Sequence, residues 1–512
     1  MTSDGADHWS HRIISFLVRY RVLLLILVSG CILWAWIFNL AAVSFITDGS
    51  RPFRAAWNGF GQINIAGFTI NLNFEGWADY DYYYVSWADQ FLRGIQPYTV
   101  GFDYQTIGFV EYHIPYFFPP LFLYMCSFGR LLPIQPFGIG FVISAFGYLT
   151  VFPVYGIGSY LSDNRHVGEM AAATYLFNPI VLYYTVFDWL NPAPFVFFAI
   201  LSFYLLVKGH RISGVLAMVT SAMFKQTAFF LALPLISFML KRSSQVQTPA
   251  DVRPSEDNKR SPIGDRLDLR GFAKTILIVL IYIAALSLPY LLDPLNYAYY
   301  VFQRAGAYLL TDLTQPPGPG MPMTLAVVLI VMHAPEWLTQ AVNLTTYYSV
   351  DLILGILPLL LLMLFEVKDD DDLRGYWRRL LFFTLLLMLW VHLFSPRGIY
   401  KYYLVALVPF FSILSSSSMC SRESHDIHVS LPMFVSPFLL SILIVIPDRS
   451  VYMLNLVLIL LAYIFQRQFA LTYGSAARAI VAPFRRLAYK LRLRRRDSRT
   501  LPVPGNNTPD SG

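Results

Sequence analysis

The sequence predicts an all-α polytopic membrane protein with about twelve transmembrane helices and a large first loop on the outer side of the membrane. Hydrophobic residues make up 56% of the 512 residues, and charged residues only 13%. The apolar residues form uninterrupted runs of roughly 15 to 25, the length that crosses a bilayer as a helix. The charged residues collect in short links between these runs, as expected for consecutive spans.

The first apolar run, Val22 to Ile46, is predicted to be a retained span. It is longer than the apolar core of a signal peptide, and no Ala-x-Ala cleavage site follows it. Arg12, Arg19 and Arg21 precede it, and positive charge beside a span favours the cytoplasmic side. The N-terminus is therefore predicted to be cytoplasmic, and the stretch that follows the span to lie outside.

The basic links later in the chain favour cytoplasmic positions and constrain the other spans. Tyr116 to Leu132 is interrupted by proline and glycine, and is interpreted as an interfacial or re-entrant piece. The run 212–240 is too long for one ordinary span, and its break is placed at Lys225-Gln226. Both termini are then cytoplasmic, and the predicted spans are Val22–Ile46, 136–160, 169–187, 191–207, two within 212–240, Ile276–Leu292, Asp351–Phe365, Leu380–Phe394, Tyr402–Ser415, Leu431–Ile446 and Val451–Phe465.

The chain is predicted to divide into a membrane domain over 1–466 and a basic cytoplasmic tail over 467–512. Within the membrane domain, 47–135 forms the outer-side loop, and 241–272, rich in Ser, Pro and mixed charge, is predicted to be a mobile cytoplasmic loop. The tail accounts for the net charge of +7, and beside a last span it is typical of a segment that binds anionic lipid. Nucleic acid is therefore not expected as a partner.

The stretch "WADYDYYY", residues 77–84, places two carboxylates two positions apart in the most aromatic patch of the chain. The apolar residues after it recur at helical spacing up to Gly94, which predicts an amphipathic helix on the membrane surface with Asp81 as its N-cap. If Asp79 to Asp81 is still extended, both carboxylates point to one side and can face one cation or substrate. The alternative interpretation is that Asp81 only caps the helix and Asp79 is solvated.

Three cations accompany these acids. Lys225 lies in the middle of a long apolar run, where an ammonium costs on the order of 2.5 to 3.5 kcal/mol, so it is expected to face a cavity and an anionic partner. Arg397 and Lys401 fall on the predicted outer side, where positive charge is unfavoured. The alternative for each cation is a snorkelling or salt-bridged residue. Together they indicate a site for an anion, with Asp188 and His113 as further candidates for contact with substrate.

Several segments resemble one family of membrane enzymes. Asp79-Tyr80-Asp81, "WADQFLRGIQPY" and "YFFPPLFLYM" are similar to the first lumenal loop of GT-C glycosyltransferases that use polyprenyl-phosphate sugars, especially the catalytic subunit of GPI mannosyltransferase I and related prokaryotic mannosyltransferases. The segment from Phe177 to Pro234 resembles their Asn-Pro, lumenal Asp and Lys-centred stretch, and "RGIYKYYLVALVP" adds weaker support. Phe118 stands where the family has Tyr or His, and Gln226 where it has Pro.

The resemblance implies transfer of a hexose, most simply mannose, from a polyprenyl-phosphate donor to a lipid-linked or cell-envelope glycan acceptor, with inversion. Asp79 or Asp81 would be the general base, and Lys225, Arg397 and Lys401 would neutralise the donor phosphate. A divalent metal, Mg or Mn, can bridge Asp79, Asp81 and the phosphate in such a site. The active site would face the outer or lumenal side, and an accessory subunit is compatible with the resemblance.

Two other classes of function remain open from the sequence. One is a multi-span transporter of a small anionic or lipid-linked substrate, with Asp188 and Lys225 as a buried coupling pair. An internal repeat would favour it, and none is evident. The other is a non-catalytic scaffold or assembly subunit. The long acidic and aromatic outer loop argues against a scaffold that only faces lipid.

Overall fold

The structure is a computed structural model that describes residues 15, 17–47, 62–65, 68–71, 79–99, 102, 104–107, 110–113, 116–241, 267–304, 324–366, 373–395, 401–418, 455–459 and 461. Three predicted features lie outside these residues: Arg397, the span Leu431–Ile446 and the basic tail 467–512. Most of the loop 241–272 also lies outside them.

Helices account for most of the described residues. In chain order they are α1 (Arg21–Thr47), α2 (Val85–Leu92), α3 (Pro120–Leu131), α4 (Gly138–Leu149), α5 (Val151–Ser162), α6 (Arg165–Leu176), α7 (Pro179–Val181), α8 (Pro192–Val207), α9 (Arg211–Phe224), α10 (Ala228–Ala232), α11 (Leu235–Leu240), α12 (Leu269–Ser287), α13 (Pro294–Ala298), α14 (Leu325–Val331), α15 (Glu336–Tyr347), α16 (Ser349–Glu366), α17 (Leu373–Leu393) and α18 (Val408–Ser418). Wider π-helical turns occur at Tyr80–Tyr84, Leu182–Phe187 and Tyr299–Arg304, and tighter 3-10 turns at Leu288–Tyr290 and Lys401–Ala406.

Two small hairpins add the only strands among the described residues. The first pairs β1 (Gln62–Ile65) with β2 (Phe68–Asn71), and the second pairs β3 (Tyr104–Ile107) with β4 (Val110–His113), both antiparallel. Both hairpins fall in the predicted outer-side loop, for which the sequence indicated interfacial helices. Apart from them the described chain is helical, so the predicted all-α membrane class is confirmed.

Helix ends follow ordinary capping chemistry. Asn164 and Asn178 accept backbone N–H bonds at the starts of α6 and α7, and Asp268 does the same for α12. Left-handed residues end other elements: Gly94, with φ of 83°, follows the α2 segment, and Asp163, with φ of 54°, ends α5. The predicted stop at Gly94 is therefore confirmed.

The number of spans is smaller than predicted for the part of the chain that the structure describes. Four helical segments are long and apolar enough to cross a membrane: Arg21–Ile46, Gly138–Ser162, Leu269–Tyr290 and Leu373–Leu393. Two bent pairs, 165–187 and 336–362, raise the number to six if each is one span. These helices make the protein a multi-pass integral membrane protein, and the predicted count of about twelve stays a prediction. Tyr116–Leu132 contains only the twelve-residue helix α3, which agrees with a piece too short to span.

One continuous apolar core joins the elements that carry the predicted site residues. Helix α8 packs along α9, α5 packs along α6, and α18 packs against both α5 and α6. The π-turn at Tyr80–Tyr84 and helix α2 pack against α3 through aromatic side chains such as Tyr84 and Phe122. The packing brings the Tyr80–Tyr84 turn, the start of α8 and the end of α9 to one place.

Candidate functional site

Lys225 lies at an interruption between two helices. Helix α9 ends at Phe224, Lys225 has extended backbone with φ of −154° and ψ of 129°, and α10 begins at Ala228. This is the predicted position of the break. The Lys225 side chain is only 5% exposed, so its ammonium lies inside the protein.

Aromatic rings and the side-chain amide of Asn191 lie against the ammonium of Lys225. The Nζ atom donates to Asn191 Oδ1 at 2.6 Å. It lies 4.3 Å from the ring centroid of Tyr403, and 5.5 to 5.8 Å from those of Tyr402, Phe118 and Phe195. A desolvated cation–π contact contributes about 2 kcal/mol, and a hydrogen bond to a charged group about 1.5 to 3 kcal/mol. These contacts offset much of the cost of burying the charge, and they hold the ammonium in a defined position.

The turn from Asp188 to Asn191 supplies the amide partner and contains one of the predicted acids. All four residues of the turn are buried. Trp189 has φ of 53°, which is unusual for a bulky residue, and its indole packs 4.8 Å from the Tyr80 ring centroid and 5.7 Å from that of Phe45. The aromatic packing compensates the strained backbone and holds the turn at the start of α8, so Asp188 lies three residues from the Lys225 partner.

The Asp-Tyr-Asp stretch has a different backbone from the predicted one. Asp79 has helical angles, φ −65° and ψ −35°, and the π-turn begins at Tyr80. The position before the helix is therefore Asp79, not Asp81, and Asp79 makes no capping bond with its side chain. The predicted Asp81 N-cap is wrong. The argument that both carboxylates face one side also fails, because residues two apart on a helix do not face each other.

Tyr84 connects this stretch with the Lys225 site. The backbone N–H of Asn191 donates to the Tyr84 hydroxyl at 3.2 Å, and the ring is almost fully buried. Burial, and next the negative charge of Asp79, raise the pKa of the Tyr84 phenol well above its usual range. The carboxylate of Asp79 is therefore close enough to act on Tyr84, which in turn touches the residue that binds Lys225.

His392 supports the aromatic side of the site. Its ring lies between two backbone oxygens, with Nδ1 2.6 Å from Met388 O and Nε2 3.1 Å from Tyr403 O. The second contact is to the residue whose ring lies nearest the Lys225 ammonium. His392 is buried in α17, so it ties the Tyr402–Tyr403 turn to a membrane helix.

The structure brings Asp79, Asp188 and Lys225 into one region, while the other predicted site residues are only partly located. Lys401 opens the 3-10 turn that carries Tyr402 and Tyr403, so its backbone lies beside the site. Asp81 lies in the π-turn, and His113 ends β4. For Asp81, His113 and Lys401 the structure describes the backbone alone. The described residues contain no group of three or more His, Cys, Asp and Glu arranged to hold a metal.

Sequence reasoning did not identify Tyr84, Asn191, Tyr403 or His392 as part of the site. The sequence did contain a signal for Asn191, because Asn before Pro is typical of a helix start. The predicted topology places that helix start on the same side of the membrane as the break at Lys225. The contacts of Tyr84, Tyr403 and His392 link residues far apart in sequence. No local pattern indicates them.

Two comparisons with known proteins bear on the function. The protein family described as "GPI transamidase subunit PIG-U" matches residues 112–317, which is less than half of the chain. The match includes Asp188, Asn191 and Lys225, and it leaves out Asp79 and the Tyr402–Tyr403 turn. No curated protein matches the chain.

The family match corrects the predicted activity. The matching family is described as a subunit of a transamidase, so the prediction of a GT-C hexosyltransferase or mannosyltransferase is wrong. The polyprenyl-phosphate sugar donor and the glycan acceptor predicted with that activity have no support from the match. Membrane association and an accessory role beside other subunits agree with it.

Proposed function

We propose that this chain is a non-catalytic subunit of a membrane complex of the GPI transamidase kind. Its role there is to bind the phosphate-bearing headgroup of a glycolipid and hold it for a partner subunit that performs the transfer. The observation that carries the proposal is the buried ammonium of Lys225 at a helix interruption inside the family match. The scaffold or assembly class, which the sequence left open, is thereby preferred over an enzyme or a transporter.

The chemistry of the Lys225 surroundings suits an anionic headgroup. An ammonium is a cation with N–H donors only, and Asn191 Oδ1 is among the acceptors of the Lys225 ammonium. In a region of low dielectric constant, a phosphate oxygen that accepts from the same ammonium gains a strong charge-assisted hydrogen bond. The rings of Tyr402, Tyr403 and Phe118 offer flat apolar faces, the surface against which sugar rings and acyl chains pack.

The first test measures headgroup binding. The purified full-length chain in detergent is labelled with a photoreactive phosphatidylinositol-glycan, and wild type is compared with Lys225→Met and Lys225→Arg. We expect Lys225→Met to weaken the apparent affinity about 10- to 100-fold, the equivalent of one charged hydrogen bond. Lys225→Arg should keep most of the binding. Lys274→Met removes an exposed cation elsewhere on the chain and is the control for net charge.

The second test separates a subunit from an enzyme. Purified alone, the chain should not attach the labelled glycolipid to a peptide, whereas membranes depleted of the chain should regain that activity when it is added back. Unchanged labelling of Lys225→Met would remove the headgroup role. Transfer by the isolated chain, or full activity of depleted membranes, would remove the role as a subunit.

A further inference from the structure

The segment that follows α12, residues 288–302, carries a stripe of exposed apolar side chains. The candidate span Leu269–Tyr290 has 22 residues, which is about 33 Å of helix and already crosses a hydrocarbon core of about 30 Å. Pro289 and Pro294 then interrupt the helix, so the segment turns at the membrane surface. The members of this 288–302 stripe are three or four residues apart and 42 to 92% exposed: Leu288, Leu292, Leu295, Tyr299 and Phe302.

The inner side of this segment packs against Tyr98. The ring centroids of Tyr290 and Tyr297 each lie 5.0 Å from that of Tyr98. The Tyr98 hydroxyl donates to Phe118 O at 2.8 Å, and the Phe118 ring is one of those beside the Lys225 ammonium. The segment is therefore joined through one tyrosine to the aromatic side of the Lys225 site.

A second connection runs through Gln226, the residue after Lys225. Its Nε2 atom donates to Val301 O at 2.9 Å. Val301 is buried, and the next residue, Phe302, is the last member of the exposed stripe. The wide π-helical turn that contains both residues is of a kind that recurs at functional sites, and the other two described π-helical turns also adjoin the Lys225 site. The apolar stripe thus begins one residue from a direct contact with the neighbour of Lys225.

We propose that the acyl chains of the glycolipid whose headgroup binds at Lys225 lie along the 288–302 stripe, an inference that rests on the proposed function. The stripe continues the exposed apolar side of α12, which includes Leu277 and Ile281 and belongs to a candidate membrane span. The predicted topology places the segment and the Lys225 site on the same side of the membrane. A lipid on this stripe keeps its chains in the bilayer while its headgroup reaches the Lys225 site, so the glycolipid enters laterally from the membrane.

The first test maps where the acyl chains lie. The full-length chain in lipid nanodiscs is photolabelled with a phosphatidylinositol-glycan that carries a diazirine in its acyl chain, and labelled peptides are identified by mass spectrometry. We expect saturable labelling of residues 288–302 that an excess of the deacylated headgroup removes. Phosphatidylcholine with the same diazirine reports bulk lipid and should label the exposed sides of α1 and α12 without saturation. Saturable glycolipid labelling at another segment, or identical patterns for the two probes, would overturn the inference.

Variants separate this inference from the headgroup role of Lys225. Phe302→Asn and Leu295→Asn place an amide against the acyl chains and should each weaken binding of the acylated probe about fivefold, with binding of the deacylated headgroup unchanged. Leu295→Asn keeps the test valid if Phe302→Asn unfolds. Leu25→Asn, at an exposed leucine of α1, is the matched control and should change neither affinity.

The two proposals fail in different ways. Lys225→Met should weaken binding of both probes, because it removes a contact with the headgroup that they share. If Lys225→Met has this effect and the two stripe variants bind both probes as Leu25→Asn does, the acyl-chain inference alone is refuted. If Lys225→Met binds both probes normally, the headgroup role is refuted, and the inference that rests on it is refuted as well.

Discussion

Single side chains determine the geometry around Lys225, and Tyr84 shows how. Its hydroxyl accepts the backbone N–H of Asn191, whose own side chain accepts from the Lys225 ammonium. A buried N–H that loses its acceptor costs about 1 to 3 kcal/mol. The position of the ammonium therefore depends on a tyrosine that does not contact it directly in the described hydrogen bonds.

We expect Tyr84→Phe to lower the free energy of unfolding by about 1 to 3 kcal/mol and to weaken glycolipid binding, because the Asn191 turn loses its anchor. Urea unfolding in detergent measures the first effect, and photolabelling measures the second. Tyr299→Phe changes an exposed ring and should stay within about 0.5 kcal/mol of wild type. If both variants behave alike, the Asn191 turn is held by other contacts.

For single residues, the sequence identified the charged side chains of the candidate site but not the residues that contact them. Lys225 is conspicuous in an apolar run, and Asp188 stands out for the same reason. The Asp79–Asp81 argument failed because it required an extended backbone, and the surrounding Tyr and Trp packing favours a π-helical turn instead. Local patterns predict the type of a residue's environment better than they predict which distant residue fills it.

At the scale of elements, close contact between α4 and the Asp188–Asn191 turn positions the site. Gly140 on α4 faces the indole of Trp189, and a Cβ atom there would lie 2.6 Å from Trp189 Cδ2. The indole is fully buried and has little room to move. A side chain at position 140 would therefore push against the turn that carries Asn191.

Gly140→Ala should destabilise the protein by about 1 to 3 kcal/mol through overpacking, despite the better helix propensity of alanine. Gly355→Ala on α16 is the matched control, because nothing lies within 4 Å of its added Cβ. That variant should be neutral or stabilising by about 0.5 to 1 kcal/mol. Thermal unfolding of both proteins in one detergent decides the matter, and equal changes would contradict the packing described for Trp189.

A second contact between elements joins α2 to α3. Arg130 binds Asp89 through two hydrogen bonds, Nε to Oδ1 at 2.8 Å and Nη2 to Oδ2 at 3.1 Å. Both side chains are partly exposed, so solvent screens the pair. We expect a coupling free energy of about 0.5 to 1 kcal/mol in a double-mutant cycle with Asp89→Asn and Arg130→Met. Additive effects of the two changes would show that the pair does not hold α2.

At the scale of the whole molecule, the two ends of α8 have chemically different surroundings. Its start lies beside the Lys225 site with aromatic rings and acids, and its end is followed by Lys208, which lies over the rings of Tyr160 and Tyr204. The topology predicted from the charges places the first end outside and the second in the cytoplasm. The hydropathy pattern identified the membrane class and several spans, because length and apolarity alone determine them. The hydropathy pattern did not predict the two β-hairpins, because their strand pairing depends on turns within a polar loop.

The predicted sides can be tested by cysteine labelling. With the native cysteines replaced, an impermeant reagent added to the outside should label Gln96→Cys and not His210→Cys, because both positions are exposed and the predicted topology places them on opposite sides of the membrane. Permeabilised vesicles, in which both positions should react, are the control. The reverse pattern would place the Lys225 site in the cytoplasm, and labelling of both from outside would refute a membrane-crossing α8.

Gln226, next to Lys225, connects the interruption between α9 and α10 to two other segments of the chain. Its Nε2 atom donates to Phe117 O in the segment before α3 and to Val301 O at 2.9 Å in the turn after α13. We expect a ligand that shifts Lys225 to shift Gln226 as well, and with it the two segments that Gln226 contacts. Occupancy of the site can in this way be transmitted as strain to the stretch around Val301, where slower or faster amide exchange upon binding would report it.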